Sequence, residues 1–239
     1  MVDEQIKLTK KIKNPDVIIG FPGFGLVGTI TTEFLIDHLK TEQIGKMWFE
    51  EMVAIAAVHD SRLIYPISIH YNKDYNIAIV HGVTPTVGME WKITDILMRF
   101  IEMVDAKSII SIEGIGSMQP VEHPKVHYFG TNRKHLEGLK EAGLEPLKEG
   151  IIMGVSGALL LKMEKKDLTC IFAETQSNMP DSRAASNVIT ALDKLMGLKI
   201  DPKPLIEQAE RFEEKLKKVM ESGQQLTMEQ KKKTLSYMG

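Results

Sequence analysis

The sequence contains a single cysteine, Cys170, among 239 residues. An internal disulfide is therefore excluded, and the apolar run "LTCIF" around it marks a buried, inert thiol rather than a nucleophile. Net charge is nearly absent too: 30 Lys and Arg against 32 Asp and Glu leave −2, which gives no basic footprint for nucleic acid or an anionic membrane. Long hydrophobic runs are also missing. The apolar stretches fall well short of the roughly 20 residues of a bilayer-spanning helix. The opening "MVDEQIKLTKKIKNPD" mixes charges with isolated apolar residues and has no signal-peptide core. The expectation is a soluble, cytoplasmic protein with no nucleic-acid or membrane partner. Paired cysteines and H-E-x-x-H are absent, and Pro124 breaks His123-x-x-x-His127, so no metal is expected.

What is present is an apolar content of 43%, enough for a large core. Short β-branched runs at Val17–Ile19, Ile64–His70, Ile77–His81, Ser108–Ile112 and Leu168–Ala173 read as strands, with Lys125–Phe129 and Ile151–Val155 as weaker ones. Between them, Leu26–Leu39, Met89–Val104, Arg133–Ala142 and Arg183–Met196 carry apolar residues at helical spacing. This alternation predicts an α/β fold, a central sheet flanked by helices. The short link "YNKDYN" predicts an antiparallel pair, so the sheet is expected to be mixed. After Gly197 the pattern changes. Two prolines in "LKIDPKP" lead into Leu205, Ala209, Phe212, Leu216 and Val219 at four-three spacing, a narrow seam for helix-to-helix packing. Residues 1–199 are thus expected to form the core domain and 200–239 a helical extension with a loose end.

"VIIGFPGFGLVGTI" holds Gly23-x-Gly25-x-x-Gly28 between a strand and a helix, the spacing of a dinucleotide-binding loop. Glu50 and Glu51 lie at the distance expected of a ribose-binding acid. Yet Pro22 and Phe24 crowd the loop, and it contains no Lys or Arg. The plainer reading is that these glycines let a helix pack closely on a strand. Gly154-Val155-Ser156-Gly157-Ala158 approximates a nucleophile elbow, but the last histidine is His135, so no base follows in the required order. Ser156 reads instead as a helix N-cap. His70 and His81 read as satisfied edge residues. Glu113 in "SIEGIGSMQP" and Glu174 in "AETQSNMPDSRAAS" sit at strand ends, where α/β proteins bind ligands. They make a candidate ligand lip, either an acid–base pair or, more plainly, two solvated side chains. Asp181 or Ser182 is expected to cap the following helix. No catalytic residue is assigned.

Taken in order, "GFPGFGLVG", "GVTPT", "IEGIG" and "AETQSNMPDSRAASNVITALDKLMGLKID" resemble the proteasome assembly chaperone family, and its archaeal branch most. The resemblance covers about Asp16 to Glu214. It implies an α/β core related in shape to nucleoside phosphorylases and a non-enzymatic role with no cofactor. The implied partners are the α subunits of the proteasome core particle, bound by a homo-oligomer of three to five copies. Members of this group end in a hydrophobic residue, tyrosine and a last residue whose carboxylate enters a pocket between α subunits. Here the end is Leu235-Ser236-Tyr237-Met238-Gly239, so the tyrosine is third from last and the apolar position holds serine. Leu235, Tyr237, Met238 and Gly239 are the candidate docking residues. The competing expectation is a nucleotide- or nucleoside-dependent enzyme, ATP-grasp-like or phosphorylase-like, that uses the Gly23–Gly28 loop.

Overall fold

The computed structural model describes residues 5–52, 57–59, 61–116, 124–163, 167–175 and 179–200. Its strands are β1 (Ile6–Leu8), β2 (Asp16–Gly20), β3 (Glu42–Met47), β4 (Ala57–His59), β5 (Arg62–Ile64), β6 (Ile67–Asn72), β7 (Ile77–Gly82), β8 (Ser108–Gly116), β9 (Val126–Gly130), β10 (Glu145–Pro146) and β11 (Leu168–Thr175). The helices are α1 (Val27–His38), α2 (Glu90–Met103), α3 (Arg133–Glu141), α4 (Gly154–Lys162) and α5 (Ser182–Met196). Nine strands form one sheet in the order β1-β3-β6-β7-β2-β8-β11-β9-β10, and β4 with β5 forms a separate hairpin. The four central strands β7, β2, β8 and β11 are parallel, while β6 and β9 join them antiparallel. The sheet is mixed, with helices on both faces.

Side-chain alternation along the central strands builds the two layers. Val17 and Ile19, Ala78 and Val80, Ile109, and Cys170 and Phe172 face α2 and α4. Ile18, Ile77 and Ile79, Ile110 and Ile112, and Ile171 and Ala173 face α1, α3 and α5. Strands covered on both faces read as unbroken apolar runs, which is why "VII" and "SIISI" were visible as strands. Asp181 caps α5 by accepting from the Ala184 N–H at 2.9 Å, and Gly197 ends that helix at φ 65°.

Several elements depart from the sequence expectation for identifiable reasons. Residues 151–153 are not a strand, and α4 begins at Gly154. Residues 155–159 are buried in succession while Leu161 is exposed, so the run shows no clean helical stripe and mimics a core strand. Ser156 lies inside α4 and is not its N-cap, a place taken by Met153 without a side-chain bond. The stretch 64–70 is split at Pro66: residues 62–64 pair with 57–59, while 67–72 enter the main sheet. Strands β1 and β3 carried no clear signal, β3 being broken by Gly45 and a register shift after Gln43. The helical extension expected over 200–239, with its seam from Leu205 to Val219, lies beyond Ile200 and outside the described residues. Among the described residues, no helix is long and apolar enough to cross a membrane.

Candidate functional site

The turn after β2 lies across the C-terminal ends of β8 and β11. Gly114 runs directly under the Phe24 carbonyl, and the Asp181 N–H donates to the Gly25 carbonyl at 2.8 Å. Each glycine of the sequence motif faces the protein's own atoms. A Cβ on Gly23 would stand 1.7 Å from Glu113 Oε1, one on Gly25 2.5 Å from Thr175 Oγ1, and one on Gly28 2.7 Å from the Ile112 carbonyl oxygen. Gly25 also sits at φ 62°, and Leu26 follows at φ 49°. Two successive left-handed residues, the second a leucine, are held by their surroundings rather than by intrinsic preference. A phosphate drawn to Gly23 would meet a carboxyl group there, not an open row of N–H donors.

Glu113 is the unusual group of this site. It is 7% exposed, so it is buried beneath the turn and not a solvated side chain at a lip. Its strand parity places it on the face of Ile109 and Ser111, toward α4. Ser156 Oγ donates to Glu113 Oε2 at 3.3 Å, and Ser111 Oγ lies 2.8 Å from Ser156 Oγ. Burial pushes the Glu113 carboxyl up to about 8, while hydrogen bonds from Ser156 and the Gly114 backbone work in the opposite direction. At neutral pH it is mainly a neutral acid. The same burial, with Glu113 as a second cause, pushes the Cys170 thiol upward. This arrangement can store a proton. It offers no accessible nucleophile, because Ser111 and Ser156 are each 1% exposed.

Glu174 has separate partners. Its Oε1 lies 3.2 Å from His127 Nε2, and its Oε2 accepts from the Lys125 N–H at 3.3 Å. In the β8–β11 register Glu113 is opposite Phe172, two residues before Glu174, so the two acids share a face. The structure attaches one to α4 and the other to β9, and no hydrogen bond joins them. His70 and His81 have partners but do not lie on an edge strand. His81 is 3% exposed on β7, between β6 and β2, with Nδ1 2.9 Å from Thr32 Oγ1 and Nε2 3.0 Å from Glu33 Oε2. His70 Nε2 lies 2.9 Å from Ser68 Oγ, and burial, then His81, lowers its pKa to about 4.

No group of three or more His, Cys, Asp or Glu side chains arranged for a metal occurs among the described residues. The tail residues Leu235, Tyr237, Met238 and Gly239 lie outside the described residues, as does His123. The sequence reading named Glu113 and the glycines but missed what joins them. Ser111, two residues before Glu113, was recoverable from strand parity. The approach of Gly154 and Ser156 to Glu113 crosses more than forty positions and left no local signal.

A family model, the PAC2 family, matches residues 17–220. An uncharacterized protein of Methanocaldococcus jannaschii is 26% identical over 244 residues, covering all of both chains. The crystal structure of Pyrococcus furiosus PbaA, an archaeal homolog of proteasome-assembly chaperone, is similar at a TM-score of 0.79 and 29% identity, over 93% of this chain and 99% of that one. The structure of P. furiosus PbaB, an archaeal proteasome activator, is similar at 0.73 and 25% identity, over 90% and 98%.

Proposed function

The chain belongs to the PAC2 family, and from that membership we propose that it is a proteasome assembly chaperone-like protein, non-enzymatic, acting on α subunits or α rings of the core particle. The observation that carries this reading is the end-to-end match to PbaA, which spans nearly all of both chains. A match of that extent relates the whole body, not a widespread submodule. The likeness to PbaB, a proteasome activator by its description, supports the same class of partner.

The docking element in this reading is the tail, with Leu235, Tyr237, Met238 and Gly239 as its contacts. The body is then residues 1–199, and residues 200–239 form the extension that ends in the tail. With tyrosine third from last, the terminal carboxylate is displaced by about 3.3 Å relative to a tail with tyrosine second from last. Docking then requires a kink in the last residues. A homo-oligomer of three to five copies presents several tails to one ring, and their joint attachment multiplies a weak single contact. Such a partner places the protein in the cytoplasm.

The glycine loop fits this reading as a packing device. Its Cβ positions are met by Glu113, Thr175 and backbone rather than by open space. The buried serines argue in the same direction, away from turnover. The test is co-elution of the purified full chain with proteasome α subunits, beside a chain lacking residues 237–239. A complex that weakens on truncation supports both parts. A complex indifferent to truncation removes the tail and keeps the partner.

A further inference from the structure

We propose that Glu113 is a proton-controlled latch: as a carboxylic acid it lies enclosed between the Gly23–Leu26 turn and the start of α4, and as a carboxylate it draws in water and lets that packing open. The proposal is independent of the partner. It rests on how the space around the carboxyl is made. Gly23 lies against Oε1 from above, and a Cβ on Gly154 would stand 3.1 Å from Oε2 at the first residue of α4. The side chain fits under the turn because position 23 is glycine, and a Cβ on Gly154 would press on it from the other side. Ser156 Oγ closes the remaining side at 3.3 Å, and Ser111 holds Ser156 in turn.

The turn has reason to move when this contact weakens. Gly25 and Leu26 occupy left-handed conformations in succession, and α1 begins after them with no side-chain cap. A second fastening, the Asp181 N–H on the Gly25 carbonyl, anchors the far side of the turn to the start of α5. Loss of the Glu113 contact therefore frees one side of the turn and leaves the other attached. That is a local opening, not global unfolding.

The described groups facing Glu113 contain no counter-charge. The turn offers Gly23, α4 offers Gly154 and Ser156, and β8 offers Ser111 and the Gly114 N–H. From β11 comes Cys170, whose thiol is the titratable neighbour that feels the carboxylate. Among the described residues no Lys, Arg or His pairs with Glu113. Among the described residues an ionised Glu113 is stabilised by Ser156 and one backbone N–H, and water is the better solvent for it. The closed turn favours the acid form, so closure is strongest below the ordinary carboxylate range and is lost as pH rises to about 8.

Amide hydrogen exchange of the full chain, corrected for intrinsic rates, reads this directly at residues 21–27 and 154–158. The opening constant of these amides is expected to rise by up to about tenfold per pH unit from pH 5.5, then level off near pH 8, while amides of α2 stay unchanged. In Glu113→Gln the rise is expected to vanish. Ser156→Ala keeps the acid but removes a donor to its ionised form, so the plateau moves to higher pH; this variant carries the test should Glu113→Gln fail to fold. Equal opening at pH 6 and pH 8 in the wild type, an undiminished rise in Glu113→Gln, or an unmoved plateau in Ser156→Ala would each overturn the proposal.

Discussion

Glu113 occupies the space that a side chain on Gly23 would need. The carboxyl oxygen Oε1 lies 1.7 Å from the position of a Gly23 Cβ, so a side chain at position 23 requires the Glu113 carboxyl to leave its place. Gly23→Ala is expected to destabilise the fold by about 1–3 kcal/mol through overpacking. Glu113→Ala removes the obstacle, so the double variant is expected to lose less stability than the sum of the two singles. Urea denaturation of the four proteins measures this coupling. Simple additivity would show that the two residues do not compete for the same space.

The pH dependence of global stability follows from the same carboxyl. Its folded-state value of about 8 lies above the ordinary carboxylate value of 4.5. The folded chain thus holds a proton that the unfolded chain releases, and stability falls as pH rises between these values. The loss is at most ~5 kcal/mol and ends above pH 8. Denaturation midpoints at pH 5 and pH 8 should differ less in Glu113→Gln than in the wild type.

Asp181 joins two functions in one side chain. Oδ1 caps α5 through the Ala184 N–H, and Oδ2 accepts from Thr175 Oγ1 at 2.8 Å, beneath Gly25. Asp181→Ala is expected to cost about 1–2 kcal/mol by loss of the cap. Asp181→Asn should recover much of it, since the amide oxygen can still accept from the helix. Thermal unfolding distinguishes the two variants.

Cys170 should behave as a packing residue. It is fully buried, and its thiol is held protonated by burial. In the native protein at pH 8, labelling by an aromatic disulfide reagent is expected to proceed no faster than unfolding exposes it. Rapid stoichiometric labelling under native conditions would contradict that placement.

The sequence made the central sheet legible because its strands are buried on both faces, so Val17–Ile19, Ile77–His81 and Leu168–Ala173 stand out as apolar runs. Helices α2, α3 and α5 were legible from their one-sided burial, and α1 from its apolar spacing although residues 27–32 are buried in succession. Helix α4 was not, because it is short and its residues 155–159 are buried in succession, as in a core strand, with Leu161 exposed. At the site, the glycine spacing pointed to a tight turn, and geometry shows what each glycine faces. The burial of Glu113 was hidden for a different reason. A carboxylate at a strand end ordinarily meets water, and here the covering atoms come from Gly23 and Gly154, which are distant in sequence. Tertiary contact alone sets the state of that acid.

The most direct test of the proposed function is the affinity of the full-length chain for proteasome α rings, measured by sedimentation with and without residues 237–239. A saturable complex is expected, weakened by about two orders of magnitude or more on truncation as multivalent attachment is lost. Absence of any complex between the intact chain and α rings or α subunits would contradict the chaperone reading outright.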